Sequence, residues 1–276
     1  MSAVVEQADD VCALPLVRRM AAFLDRDPKG LAEGDPLPRG WHVAFFNPPT
    51  PQSSLRHDGA AYLGVKLPDL GMPRLMIGAR RIDFLGDISI GARLRRTSRA
   101  GAVTEKIGKS GRFALIDVEH QITIESENKP VLVETTSYVL REAESGDSAA
   151  TPASAKSAPP QLPPADVTRT FLPDETVLFR YSAITDNPHR IHYDLPYAQS
   201  EGYPALVVNG TIPAMILLEM FRAHVGDEPA GWRSRNLAPI LCGAALTLTL
   251  SRADEEWLMC VYTPEGVLAQ EARAWQ

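Results

Sequence analysis

Residues 207–221, VVNGTIPAMILLEMF, are apolar on almost every side of the helix that their composition predicts. A helix that is apolar all round is buried, whereas a surface helix keeps one polar face. Three runs rich in strand-forming residues follow it, at 244–251, 256–262 and 267–274. The turns between them, RADE and TPEG, favour antiparallel pairing. This order predicts one long buried helix wrapped by an antiparallel sheet.

The first half of the chain follows a similar plan. Apolar residues recur at helical spacing from Leu14 to Leu24, and the sequence DPKG at 27–30 ends the pattern. Strand signals follow at 81–85, 92–104, 113–125 and 131–140, and the last two predict an antiparallel hairpin. In the second half, we also predict a strand at 176–182 ahead of the buried helix.

A segment of different composition joins the halves. Residues 145–164, SGDSAATPASAKSAPPQLPP, are mostly Ser, Ala and Pro, which bury little surface and resist regular structure. We therefore predict an N-terminal unit at 1–144, a linker at 145–164 and a C-terminal unit at 165–276.

Composition limits the function. The chain has 276 residues, 45% of them apolar, which suffices for one large core or two small ones. Its net charge of −6 argues against nonspecific nucleic-acid binding. The sequence contains no run of about 18 apolar residues, so we predict no membrane span. The acidic start lacks the features of a secretory signal. Cys12, Cys242 and Cys260 show no CxxC spacing. We expect a cytoplasmic protein with reduced, mostly buried thiols.

The densest polar stretch is SAITDNPHRIHYD at 182–194. A loop there could present functional groups from a rigid scaffold. One alternative is a solvated turn in which Asp186 or Asn187 caps a short helix that starts at Pro188. A second is a zinc site, although the HxxH spacing has no Cys or third His nearby. The other histidines, at 42, 57, 120 and 224, read as structural or solvated.

The sequence NPHRIHYD at 187–194, with EGYPALVVNG at 201–210 behind it, resembles the hydratase-2 motif of MaoC-like enzymes. These are (R)-specific enoyl-thioester hydratases and hydroxyacyl-thioester dehydratases with a hotdog fold. The resemblance places the family's catalytic Asp on Asn187 and its Asn on His189. It places the catalytic His on His192, the trailing Asp on Asp194 and the oxyanion-hole Gly on Gly210.

A wider resemblance covers about 39–142 and 170–275, including MPRLMIGARRIDFLGDISIGARLRRTS at 72–98. These segments resemble double-hotdog hydratases that act on mesaconyl-C4-CoA (3-methylfumaryl-CoA) and itaconyl-CoA, both of which give citramalyl-CoA. It implies an α+β double hotdog in which two antiparallel sheets each wrap a central helix. The N-terminal unit would be a degenerate hotdog that shapes the acyl pocket, and the C-terminal unit would be catalytic. Asn209 departs from the pattern, because the residue before the Gly is usually His.

The implied reaction needs no cofactor or metal. The Gly210 N–H at a helix N-terminus would stabilise the enolate oxygen, and His192 would act as general base and acid. Asn187 cannot take a proton and would orient water or His192. His189 or Asp186 would substitute if His192 does not act alone.

A diacid thioester also needs a binding group for its free carboxylate, and Arg190 and Arg180 are the candidates. Surface solvation or a structural ion pair explains them equally well. The remaining expected substrate-binding residues are Asp194, Asn209 and Thr211. The basic run at Arg93, Arg95, Arg96 and Arg99 would contact CoA phosphates or keep a strand edge soluble.

The expected partner is an acyl-CoA or carrier-protein thioester, and neither nucleic acid nor a membrane. A homodimer stays open, because two hotdog units in one chain satisfy the usual pairing internally. Three other functions stay open as well. They are a 3-hydroxyacyl-thioester dehydratase of fatty acid, steroid or polyketide metabolism, a non-catalytic hotdog binding subunit, and a thioesterase.

Overall fold

The structure is a computed structural model that describes residues 5–47, 49–60, 65–108, 111–127, 129–142 and 162–276. The predicted linker at 145–164 lies outside the described residues except for its last three positions.

Ten strands of the described chain form one continuous antiparallel sheet. Its N-terminal half contains β1 (Val5–Val11), β2 (Arg74–Phe84), β3 (Arg93–Gly108), β4 (Gly111–Ile124) and β5 (Pro130–Arg141). Its C-terminal half contains β6 (Val167–Phe171), β7 (Gly231–Asn236), β8 (Leu246–Ala253), β9 (Glu256–Tyr262) and β10 (Leu268–Trp275). The spatial order is β1-β3-β4-β5-β2-β7-β10-β9-β8-β6. The two halves therefore meet where β2 pairs with β7.

The described residues contain four α-helices: α1 (Leu14–Phe23), α2 (Glu175–Thr185), α3 (Leu195–Ser200) and α4 (Thr211–Val225). The prediction of a buried helix is confirmed by α4, in which Ile212, Leu217 and Phe221 are fully buried. It packs against β8 and β9. The helix begins at Thr211 rather than 207, because Val207 and Val208 continue an extended segment that bonds to residues 240 and 241.

The strand predicted at 176–182 is wrong, because these residues lie in α2. Its β-branched and aromatic side chains suggested a strand, but Asp174 caps a helix by accepting a hydrogen bond from Val177 N at 2.8 Å. Leu178, Tyr181 and Ile184 are buried at helical spacing and form its inner face.

The other strand predictions are confirmed with shifted ends, including the antiparallel pairing of β4 with β5. The segment predicted at 81–85 is part of the longer β2. Three strands, β1, β6 and β7, were not predicted. They are short, and β7 has the polar sequence GWRSRN, which carries little strand signal.

One large apolar core spans both halves and includes α1, α2 and α4. A smaller apolar cluster under β4 and β5 contains Val65, Met72, Ile116 and Leu140. The three cysteines are free thiols, of which Cys12 and Cys260 are buried. No helix within the described ranges is both long and apolar enough to span a bilayer.

Candidate active site

The motif loop connects α2 to α3. Asp186 ends α2 in the left-handed conformation with φ 45°. A single 3-10 turn at Arg190–His192 follows. Asp194 then caps α3 by accepting a hydrogen bond from Tyr197 N at 3.1 Å. The alternative with a helix starting at Pro188 is therefore wrong, since the helix here begins at Leu195.

His192 is buried, with 7% of its surface exposed, and its tautomer is set by the backbone. Nδ1 lies 2.7 Å from the carbonyl oxygen of Val207. Because a carbonyl only accepts, Nδ1 must carry the proton and Nε2 must hold the free lone pair. The pKa of His192 is lowered to about 4, chiefly because the ring is buried; the Val207 hydrogen bond acts in the opposite direction, and His189 adds a smaller lowering. The ring is thus neutral near pH 7 and able to accept a proton at Nε2.

His189 lies beside His192. Their ring centroids are 5.5 Å apart and the planes are nearly perpendicular, at 84°. Burial lowers the pKa of His189, against the charge of Asp58, which raises it. Asn187 holds this turn, because its Oδ1 accepts a hydrogen bond from the His189 backbone N–H at 3.2 Å. The structure therefore brings together three of the four residues predicted as catalytic.

The fourth, Gly210, is the N-cap residue of α4. Its N–H makes no hydrogen bond to any residue that the structure describes. It lies at the N-terminus of the helix, which is the positive end of the helix dipole. A Cβ at this position would stand 3.0 Å from Asn236 Nδ2 and 3.1 Å from Asn236 Oδ1. The Gly210 carbonyl accepts a hydrogen bond from Gln270 Nε2 at 2.7 Å. Asn209 Oδ1 accepts one from Thr211 N at 3.0 Å.

Residues 207–210 couple the two parts of the site. The carbonyl at Val207 fixes the His192 ring, and three residues later the chain presents the free N–H of Gly210. A base and an oxyanion donor are thereby held by one short, well-packed segment.

The N-terminal half also supports the motif loop, which the sequence did not predict. Asp58 is buried, and its backbone carbonyl accepts a hydrogen bond from Arg190 N at 2.8 Å. Gly59 has φ +79°, and a Cβ there would lie 2.3 Å from the carbonyl oxygen of Pro188. Only glycine fits this contact. The available signal was the turn sequence RHDG at 56–59.

The two arginines expected to bind the substrate carboxylate have other partners in the structure. Arg190 donates from Nε and Nη2 to Asp194 Oδ2 at 2.9 and 2.8 Å and stacks over Tyr197. Asp194 therefore holds Arg190 and α3, while the tautomer of His192 is fixed by the backbone. Arg180 is exposed on α2 with its guanidinium over Phe23, so it is not brought to the histidines.

The basic run on β3 is not an edge, because β3 lies between β1 and β4. Arg93 pairs with Glu125 at 2.5 Å and Arg95 pairs with Asp9 at 2.7 Å. Arg96 instead points inward over Phe46. The run therefore does not form one free patch for CoA phosphates.

Arg96 belongs to a group of ionisable side chains on the inner face of the N-terminal half, which sequence analysis did not detect. We call it the buried polar cluster, and its members are Arg80, Arg96, His42, His120 and Glu134. Glu134 accepts hydrogen bonds from His42 Nε2 and from Thr136 Oγ1, both at 2.8 Å. Arg80 Nε lies 3.0 Å from Glu134 Oε1, and Arg80 Nη1 lies 3.5 Å from Thr211 Oγ1 at the start of α4.

The zinc alternative has no support in the structure. In the described ranges, no three or more His, Cys, Asp or Glu side chains gather as a metal site would require.

Three comparisons with known proteins agree. Residues 40–242 match the family model of hydroxyacyl-thioester dehydratase type 2. The mesaconyl-C(4)-CoA hydratase of Chloroflexus aurantiacus is 36% identical over 96% of this chain and 92% of its own length. The structure of HtdX from Mycobacterium tuberculosis superposes with a TM-score of 0.70 at 17% identity, covering 99% of both chains.

A second Mycobacterium tuberculosis structure, described as having a double hotdog fold, superposes with a TM-score of 0.63 at 13% identity. It covers 99% of this chain and 95% of its own. The expected α+β double hotdog is therefore confirmed, with its two halves joined edge to edge in one sheet. The family match over most of the sequence and the full-length relative show that this chain belongs to the hydroxyacyl-thioester dehydratase type 2 family.

Proposed function

We propose that this hydro-lyase adds water across the α,β double bond of mesaconyl-C4-CoA, a branched C5 diacid thioester, to give citramalyl-CoA. The full-length relative, whose name specifies that substrate, supports the choice. The observation that carries the chemistry is the pairing of a buried, neutral His192 with the unbonded N–H of Gly210. Itaconyl-CoA is the alternative substrate.

In this proposal, His192 performs the proton transfers. Nε2 takes a proton from water as the water oxygen bonds to the β-carbon. The electron pair of the double bond moves toward the thioester carbonyl, whose oxygen becomes an enolate. The His192 ring then returns the proton to the α-carbon, so that H and OH have been added and the base is restored. Its low pKa favours that return, because a weakly basic ring gives up its proton readily.

Gly210 stabilises the intermediate. The enolate oxygen accepts a hydrogen bond from its N–H, in the field of the α4 N-terminus. Asn187 has no titratable group, so it cannot act as acid or base, and it acts by holding the His189 turn. His189 orients the attacking water beside His192 and is the second candidate for the base.

The two units divide the work in this proposal. The C-terminal unit, 165–276, supplies the motif loop and α4. The N-terminal unit, 1–144, lacks such a motif and shapes the acyl pocket, and residues 145–164 link the two. The contacts of Asp58 and Gly59 with the motif loop support this assignment, because they hold the catalytic turn against the N-terminal unit.

A substrate panel tests the proposal. Purified protein is incubated with mesaconyl-C4-CoA, itaconyl-CoA, citramalyl-CoA and crotonyl-CoA, and the conjugated enoyl thioester is followed. We expect turnover of the C5 diacid thioesters in both directions. Turnover of crotonyl-CoA alone would keep the hydratase chemistry and reject the diacid substrate, and no turnover of any panel member would favour the non-catalytic alternative.

A further inference from the structure

The buried polar cluster holds more positive than negative charge. Two guanidinium groups, on Arg80 and Arg96, face the single carboxylate of Glu134. Burial raises the pKa of Glu134, but the Arg80 charge and the His42 hydrogen bond together outweigh burial and hold this pKa well below its usual value. The carboxylate is therefore ionised. Burial lowers the pKa of His120 to about 4, so His120 is neutral near pH 7 and adds no charge.

One donor of this cluster lacks a partner among the described residues. The Nε atom of Arg96 is buried and makes no hydrogen bond to a described residue, whereas Arg80 Nε is ion-paired with Glu134 Oε1 at 3.0 Å. Asp10 also acts electrostatically on Arg96, but its side-chain oxygens accept hydrogen bonds from the N–H groups of Phe46 and Val11, at 2.6 and 2.7 Å, and not from the guanidinium. A buried cation without a paired anion is costly, so an anionic ligand bound beside Arg96 would stabilise the cluster.

The position of Arg80 relates this surplus charge to the reaction. Glu134 holds its Nε side, and its terminal nitrogen reaches Thr211, the residue after Gly210. In mesaconyl-C4-CoA two carbon atoms separate the carboxylate carbon from the thioester carbon, and the carboxylate is attached to the carbon that receives the hydroxyl. Arg80 could donate hydrogen bonds to this carboxylate from a position one residue away from the oxyanion donor Gly210, and that suits the short spacing.

We propose that Arg80 is a specificity-determining residue that binds the free carboxylate of the diacid thioester, with Arg96 supplying the second positive charge of the pocket. This inference rests on the proposed function. It moves the site of carboxylate binding from Arg190 and Arg180 in the C-terminal half to β2 and β3 in the N-terminal half. A guanidinium binds a carboxylate through two parallel N–H donors, and binding would balance the charge of the cluster.

Binding of unreactive thioesters tests this directly. Succinyl-CoA carries the carboxylate at the same spacing but has no double bond to hydrate, and butyryl-CoA replaces the carboxylate with a methyl group. We expect calorimetry to show that the wild type binds succinyl-CoA roughly ten- to a hundredfold more tightly, the range for a charge-assisted hydrogen bond. Equal affinity for the two in the wild type would overturn the proposal.

The variants separate charge from folding. Arg80→Met with Glu134→Gln removes one charge of each sign and keeps an amide to bond His42 and Thr136, and it should abolish the preference for succinyl-CoA. Arg80→Lys keeps the positive charge beside Glu134 and should lose most of the preference while staying folded. The control is Arg81→Met, because Arg81 is exposed and pairs with Asp83. Retention of the wild-type preference by a folded Arg80 variant would overturn the assignment.

Turnover measurements distinguish failure of the Arg80 assignment from failure of the proposed function. Mesaconyl-C4-CoA and 3-methylcrotonyl-CoA differ only in carboxylate against methyl. Wild-type turnover of mesaconyl-C4-CoA together with equal binding of succinyl-CoA and butyryl-CoA would reject Arg80 and keep the proposed function. Turnover of 3-methylcrotonyl-CoA alone would reject the diacid substrate, and this inference with it.

Discussion

Replacing Gly210 with alanine tests whether the start of α4 is built for close approach. The added Cβ would lie 3.0–3.3 Å from three atoms of the Asn236 side chain, so that side chain must move by a few tenths of an ångström. Asn236 is not free to do so, because its Nδ2 donates to the Ile77 carbonyl at 2.9 Å and its Oδ1 accepts from Gln270 Nε2 at 2.7 Å.

The magnitude follows from these two hydrogen bonds. Weakening both costs about 1 kcal/mol each, so we expect Gly210→Ala to lower the free energy of unfolding by about 2 kcal/mol. If Gly210 donates to the enolate, kcat should fall further than stability explains. Alanine keeps its backbone N–H, so the roughly hundred- to thousandfold loss in kcat that removal of an oxyanion donor typically causes is the upper limit for an N–H displaced or shielded by the Cβ.

Urea unfolding and steady-state hydration kinetics measure the two effects. Gly30→Ala is the matched control, because a Cβ there meets only Asp27 Oδ2, at 3.7 Å. Adding Asn236→Ala to Gly210→Ala removes the collision, so a loss of kcat that persists in the double variant is caused by the Cβ beside the oxyanion donor. Full stability together with full kcat in Gly210→Ala would refute the reasoning.

Two further predictions concern packing and protonation. Gly59→Ala should destabilise the protein and reduce turnover much more than Gly71→Ala, because both glycines have positive φ but only Gly59 would place a Cβ, at 2.3 Å, on the Pro188 carbonyl. Thermal melts and kinetics measure this, and equal effects would count against the contact. The folded-state pKa values of His192 and His120 lie near 4, below the unfolded value of 6.5. The unfolded chain therefore binds more protons than the folded chain between pH 6.5 and 4. The free energy of unfolding should decrease by roughly 3 kcal/mol per histidine as the pH is lowered through that window. His120→Gln should flatten this dependence in urea titrations, and an unchanged slope would contradict it.

Helix α4 and strands β8 to β10 could be predicted from the sequence because their signals are local. The apolar residues of α4 and the alternating strands β8 to β10 each lie within one short segment. The pairing of His192 with Gly210 in one site could also be predicted from their spacing, because the motif loop and the start of α4 are close along the chain.

Other features depend on contacts that no local pattern shows. The residues 176–182 have strand-like composition, and the Asp174 cap with tertiary burial makes them helical. The buried polar cluster joins side chains that are far apart in sequence. The register of the sheet places His120 opposite Glu134, and His42 reaches Glu134 from a 3-10 turn outside the sheet. Arg190 looked free to bind substrate because its partner, Asp194, was assigned another role.

The most direct test of the central claim compares hydration of mesaconyl-C4-CoA by the wild type, His192→Ala and His189→Ala. His224→Ala is the control, because His224 is exposed near the far end of α4 against Trp257. We expect His192→Ala to lose at least about a hundredfold in kcat, the usual contribution of a general base, with a smaller loss for His189→Ala and none for the control. Near-normal turnover by a folded His192→Ala variant, with loss in His189→Ala, would contradict the account and exchange the two roles.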